Sequence, residues 1–428
     1  MKRAAFTLLL ALFMMQLGCN ATTNKPGDST SGQMANEQEQ RAAEEQPTSW
    51  RGPNSTGVYP ESGLMKEWPE GGPDVLWHYD DLGEGFSSPA VANGKIYITG
   101  MENGKSYLYI LSSQGKFIKK YETAKEWDVS YPGSRSTPTV AGNLIYTYTG
   151  YGILTCIDEK KEQIVWQKNM FEDFDGENIQ WGVTESVVVD GEKVYCSPGG
   201  AKNNVIALNR FTGTLIWTCP GLGEASAYCT PTLVDLSERK LLVTMMANHI
   251  IGIDAQNGKL LWSHPQTNRY SVHANSPVYH EGSIYCTSGY GKGTVKLDLH
   301  DDGSKVKEAW FTDKLDNRIG GTVLLDGYLY GAGDQDRGWK CVNVRTGELE
   351  YAFDNFMKGT TIAADGRLYI YTQRGKLALA KATPNKLVVT GQTSVDMGSG
   401  QHWAHPVIHK GRLLLRHGNV LIAYNIKQ

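Results

Sequence analysis

Three cations and several broad rings stand within a few residues of one recurring sequence feature: Arg135, Arg318 and Lys358, with Phe86, Trp181, Tyr228 and Trp403, and with His273, Asn275 and His402 among them. Gathered at one place, these side chains would form a cationic site with aromatic walls. Guanidinium forks pair with carboxylates, and rings stack on flat or sugar-like surfaces. A small anionic molecule or a glycan is the ligand such a funnel would take. The competing reading is a solvated rim whose residues pack neighbouring loops.

The feature they precede is a set of eight openings: Ser88-Pro89, Thr137-Pro138, Glu185-Ser186, Thr230-Pro231, Ser276-Pro277, Gly321-Thr322, Thr361-Ile362 and His405-Pro406. Each starts a short β-branched or aromatic strand followed by a turn, with turn glycines at 94, 142, 191, 282, 327, 366 and 411. The unit without a glycine turns through Ser237-Glu238-Arg239-Lys240. Later in the units comes a second hairpin, as in VIALNRFTGTLIW at 205–217, IIGIDAQNGKLLW at 250–262 and CVNVRTGELEY at 341–351. Its Gly213, Gly258 and Gly347 fall where a tight turn needs positive φ. A period in the forties built from four short strands predicts propeller blades.

The ends decide between a ring and an open array. The last unit stops after its third strand, Val420-Leu421-Ile422-Ala423-Tyr424, while Val75-Leu76-Trp77-His78-Tyr79 precedes the first unit and reads as a fourth strand. Pairing the two hides edges that an open array exposes. The expected fold is therefore all-β, an eight-bladed β-propeller over residues 75–428 closed by an N-terminal strand that completes the last blade. Trp77, Trp166, Trp217, Trp262 and Trp310 recur too regularly for catalysis; they are expected to wedge between blades with each indole N–H on a backbone acceptor.

Ahead of the ring, residues 1–18 have a basic start at Lys2 and Arg3 and an apolar run to Met15, the layout of a signal peptide. Gln16-Leu17-Gly18-Cys19 resembles a bacterial lipobox, which makes Cys19 the expected lipidated residue and membrane anchor. Residues 19–48 are polar and read as a disordered tether; 49–74 read as an extension packing on the propeller, with Trp50 as a plug or latch. The net charge of −3 becomes −5 without Lys2 and Arg3, which argues against nucleic acid as a partner.

Units such as Ala207-Leu208-Asn209, followed by Thr212-Gly213 and ending in Trp217, resemble repeats of the pyrroloquinoline-quinone-repeat (PQQ-like) β-propeller family across residues 75–426. That family includes quinoprotein alcohol and glucose dehydrogenases and the lipoprotein subunit of the outer-membrane β-barrel assembly machinery. For a dehydrogenase the resemblance implies PQQ, a Ca²⁺ site with a catalytic Asp, and adjacent disulfide-bonded cysteines; this chain has no Cys-Cys pair. The leading expectation is a non-enzymatic, periplasmic or outer-membrane-anchored lipoprotein presenting the propeller to an envelope protein partner, without a cofactor. The alternatives are a PQQ-dependent periplasmic alcohol or sugar dehydrogenase and a carbohydrate-binding propeller.

Other chemistry-bearing residues argue for little. His402 and His405, three apart, point to opposite faces of a strand and do not form a zinc pair. Asp334-Gln335-Asp336 has alternate aspartates but no twelve-residue Ca²⁺ loop around them, and reads as an outer hairpin tip; Asp298, Asp301 and Asp302 read the same way. Cys196 and Cys286 share a repeat position and should be small buried hydrophobes. Cys219 and Cys229 flank one connection and are candidates for a disulfide. Neither a CxxC nor a Cys-His pattern supports thiol catalysis.

Overall fold

Asn209 begins the hairpin turn that repeats around the molecule. Its Oδ1 accepts from the N–H groups of Phe211 and Thr212 at 3.0 and 3.1 Å, and the N–H of Gly213, at φ 70°, returns to the Asn209 carbonyl at 2.8 Å. Gly258 and Gly347 close the same turn on Asp254 and Asn343. After the turn the register shifts: Ala207 faces Trp217 but Leu208 faces Leu215, so Ile216 is bulged out. Strict alternation would put Leu215 and Trp217 on one face; instead Leu215 is 48% exposed and Trp217 only 7%.

That bulge turns each indole toward the next blade, but the Trp77 N–H, against Gly115, finds no acceptor, contrary to expectation. Trp166, Trp217, Trp262 and Trp310 donate to the carbonyls of Arg210, Ala255, Gly303 and Val344 at 3.0, 3.2, 3.1 and 3.0 Å. A Cβ on Gly213, Gly258 or Gly347 would come within 2.8, 2.6 and 2.8 Å of the indole beneath it. The turn glycine is thus needed twice, for its φ and for the wedge.

The computed structural model describes residues 46–428; the expected signal peptide, Cys19 and the tether up to residue 45 lie outside them. The described chain forms an eight-bladed β-propeller with antiparallel four-strand blades in sequence order. Blade 1 begins at Ala90–Ala92, and the innermost strands of blades 2 to 8 are Thr139–Ala141, Val188–Asp190, Thr232–Asp235, Val278–His280, Val323–Leu325, Gly359–Ala364 and Val407–His409. Val75–Tyr79 completes blade 8 against Val420–Asn425, with Val75 facing Tyr424 and Tyr79 facing Leu421. The ring closes as expected.

Between Thr48 and Tyr59 the chain lies inside the ring. Thr48, at the end of the expected tether, is already fixed: its N–H donates to the Val140 carbonyl at 2.9 Å and its hydroxyl accepts from the Val140 N–H at 2.8 Å. Val58–Tyr59 adds a fifth, parallel strand inside blade 7, Val58 against Ala363 and Tyr59 against Ala364. Val140 and Ala364 hold the same place in their innermost strands, so the segment rises from Thr48 to Trp50 at the mouth and returns along Val58–Tyr59, which runs away from the loops that enter those strands. At the far end Glu61 accepts from the N–H groups of Lys410 and Gly411 at 2.6 and 2.8 Å.

Arg51 anchors this segment. Its guanidinium is buried and donates to the carbonyls of Thr322 and Thr361 at 2.9 and 3.2 Å and to Nδ1 of His405 at 2.9 Å, which joins blades 6, 7 and 8. Glycine at 57, with φ 74°, makes room for it, since a Cβ there would sit 2.1 Å from Nη2.

Candidate functional site

The loops entering the innermost strands, together with the second-to-third-strand turns, surround one end of the ring. A cavity of about 360 Å³ opens there. Arg135, Trp181, Tyr228, Arg318, Trp403 and Phe86 all line it. Tyr131, Arg269, Tyr270, Tyr290, Trp50 and His405 join them and were not singled out from the sequence as mouth residues. No aspartate or glutamate lines it.

Two aromatic walls face the opening. On one, Trp403 packs against Phe86 and Tyr131 with ring centres 5.2 and 4.9 Å away. On the other, Trp181 meets Tyr270 edge-on at 5.6 Å and Tyr270 meets Tyr290 at 4.6 Å. The cations lie against these rings. Arg269 sits 4.6 Å from the centre of Tyr270, and Arg318 sits 5.4 Å from that of Tyr290. Arg135 donates from Nη2 to the carbonyls of Ser130 and Tyr131 at 2.9 and 2.7 Å, while its buried Nη1 has no partner. Burial holds its pKa below the ordinary guanidinium value.

The floor comes from the N-terminal segment and blade 8. Trp50 packs on His405 at 4.7 Å. Arginine can only donate, so His405 accepts at Nδ1 and carries its proton on Nε2, which faces the Ile319 carbonyl at 3.3 Å. Burial first, and the charge of Arg51 second, push His405 well below the usual histidine range. It is a neutral ring with both nitrogens committed.

Four expected mouth residues stand elsewhere. His273 is fully buried, with Nδ1 on the Ser288 hydroxyl at 2.8 Å and Nε2 near the Ala247 carbonyl at 3.3 Å; burial lowers its pKa to about 4. Asn275 ties blades together, donating to the Asn317 carbonyl at 2.7 Å. His402 stacks on His417 at 3.6 Å and bonds the Tyr371 hydroxyl; burial, then His417, bring it to about 4. Lys358 turns to Asp334.

Asp334 is not the expected outer hairpin tip. It is buried, receives the N–H of Tyr290 at 3.2 Å, and pairs with both Lys358 and Arg318, the latter at 3.6 Å. It holds Arg318 at the rim. Cys219 and Cys229 are both buried free thiols, so the candidate disulfide is not formed. Tyr290 arises from the turn after Ser283–Ser288, and reading only the loops ahead of the innermost strands passes over it. Arg269 and Tyr270 were within reach, four and three residues before His273.

Comparison with known proteins places this geometry in a family. The family model described as "Outer membrane protein assembly factor BamB" matches residues 118–352, more than half of the chain. Two relatives carry that name: the protein of Kangiella koreensis is 24% identical over 231 residues, covering 50% of this chain and 52% of the relative, and that of Salmonella typhimurium is 24% identical over 190 residues, covering 44% and 41%. The matches thus span about half the length of these relatives or less. Among solved structures, BamB from Moraxella catarrhalis aligns with TM-score 0.59 at 11% identity over 82% of this chain and 99% of that one. A europium-containing methanol dehydrogenase aligns with TM-score 0.65 at 12% identity over 90% and 92%. At such identities these two structures support the fold alone. The chain belongs to the BamB family of PQQ-like propellers.

Proposed function

We propose that the protein is a non-enzymatic scaffold of the cell envelope, tethered through lipid on Cys19, that docks a protein partner at the mouth of its propeller. The observation that carries this reading is the character of the mouth: three arginines backed by rings, no carboxylate, and a floor sealed by the chain's own Trp50 and His405. That is a binding chemistry. General acid–base work needs a titratable group with a free atom toward the ligand, and the His405 ring has none. The family supports the same direction, since its named members are assembly factors.

A PQQ–Ca²⁺ pair does not fit these residues. Ca²⁺ takes oxygen ligands, carboxylates foremost, and no carboxylate lines the mouth. Among the described residues, moreover, no three His, Cys, Asp or Glu side chains stand together as a metal set.

The test is affinity capture of the full-length protein from gently crosslinked native membranes, with Cys19→Ala as control. The expected result is a stoichiometric partner that the control loses. Capture of the bait alone, in replicate, overturns the scaffold reading.

A further inference from the structure

The arginines of the mouth form two stations on opposite arcs of the ring. Arg269 and Arg318 come from consecutive connections, before blades 5 and 6, and flank one ring: their guanidinium carbons lie 5.9 and 5.4 Å from the centre of Tyr290. Among the described residues no carboxylate pairs with Arg269, and Arg318 shares the carboxylate of Asp334 with Lys358. Arg135, before blade 2, is the other station, with Nη1 buried and unpartnered. The buried Nη1 of Arg135 is costly unless an acceptor meets it, while Arg269 is exposed and without a carboxylate, so both stations have donor capacity left for an anion.

We infer that the mouth reads an extended acidic peptide segment, with carboxylates from that segment meeting Arg269 and Arg318 on one side and Arg135 on the other, over a floor completed by Trp50. The inference rests on the scaffold reading and names the chemistry by which the partner is recognised. A single small carboxylate reaches one station; a chain with spaced acidic side chains reaches both. The rings between the stations accept the aliphatic and aromatic parts of such a segment. Since Trp50 lies two residues beyond Thr48, which is fixed to blade 2, the tethered segment is itself part of the binding surface. Seating of residues 48–59 and peptide binding therefore reinforce one another.

The experiment uses the full-length protein in detergent and a labelled, capped peptide alternating aspartate and tyrosine, against the same peptide with asparagine for aspartate. Fluorescence anisotropy should show the aspartyl peptide binding at least tenfold more tightly, with a steep loss in salt. Arg269→Ala, at an exposed arginine with no carboxylate partner, should lower that preference severalfold while the thermal midpoint stays put, Arg135→Ala should lower it at the other station, and Trp50→Ala should weaken the peptide at unchanged preference. Arg269→Glu, which has no buried carboxylate beside it, should raise the affinity for a lysyl peptide above the parent's, a gain that loss of folding cannot mimic. Equal affinity for the two peptides, or arginine variants that bind like the parent, overturns the inference, and citrate binding as tightly as the peptide overturns the peptide assignment. A membrane partner captured equally by the arginine variants sinks this inference and leaves the scaffold reading standing; peptide binding without any captured partner does the reverse.

Discussion

Replacing Arg51 by Met tests the claim that the N-terminal segment is fixed in the channel by one buried cation. Methionine keeps most of the volume, so the cavity term is small. What is lost is the set of donors to the Thr322 and Thr361 carbonyls and to Nδ1 of His405, all buried. Each buried acceptor left without a donor costs about 1 kcal/mol or more. Against this, removing a desolvated guanidinium, whose pKa burial has already lowered to about 10, returns part of the loss. A net destabilisation of about 2–4 kcal/mol follows. It should fall on the segment first: in hydrogen–deuterium exchange, amides around Val58 and Tyr59 should lose protection while the blade strands keep theirs. The His405 ring should also move toward its ordinary pKa, by the part that Arg51 contributes. Unchanged protection at Val58–Tyr59, with an unchanged denaturation midpoint, refutes the reasoning.

Four further outcomes follow from the same structure. Truncation to residue 79 removes the strand that closes blade 8 and should lower the global denaturation midpoint; an unchanged midpoint would show that the ring does not depend on closure. Gly57→Ala puts a Cβ 2.1 Å from the Arg51 Nη2 at φ 74° and should cost about 1–3 kcal/mol in denaturant titration, whereas Gly94→Ala, which meets nothing within 4 Å, should cost only its φ strain of about 1 kcal/mol. His273, held near pKa 4 by burial, refuses a proton that the unfolded chain takes up near 6.5. Its contribution is therefore complete above about pH 6.5 and declines as pH falls toward 4, by up to about 1.4 kcal/mol per pH unit. Buried Glu126 and Glu185, whose pKa values burial raises, act in the opposite sense, so the diagnostic is the difference: His273→Gln should flatten the stability–pH slope in that window, and an unchanged slope would count against a neutral buried ring. Finally, the six cysteines of the described residues are buried and free, with Cys156, Cys229 and Cys341 pushed up to about 12 by burial. A thiol reagent should titrate none of them in the native body and all six after unfolding, while a deficit of two would reveal a disulfide.

How much of this was legible in the residues depends on how local each cause is. The turn at Asn209–Gly213 and the indole of Trp217 belong to one hairpin, so a single sequence window contains both the turn chemistry and the wedge, and repetition multiplies the signal. Ring closure was legible too, because a strand missing from one end and a spare strand at the other are both countable in the chain. Mouth residues such as Arg135, Trp181, Tyr228, Arg318 and Trp403 were found because they precede an innermost strand, a position that period alone locates. The same rule misplaced His273, Asn275, Lys358 and His402, since it locates a backbone and says nothing of which neighbour a side chain turns to.

The sequence by itself determined the number of blades, the strand that joins its ends and the arc of loops where binding groups collect, because these follow from period, turn residues and edge pairing along the chain. Only the tertiary structure decided that Trp50 and Arg51 enter the channel, that Asp334 holds Arg318 and Lys358, and that Arg269 and Arg318 share the ring of Tyr290. Arg51 meets Thr361 across 310 positions of sequence, and no local pattern encodes such a contact. It exists because eight blades close around one axis and leave a channel whose inward-facing carbonyls need a donor.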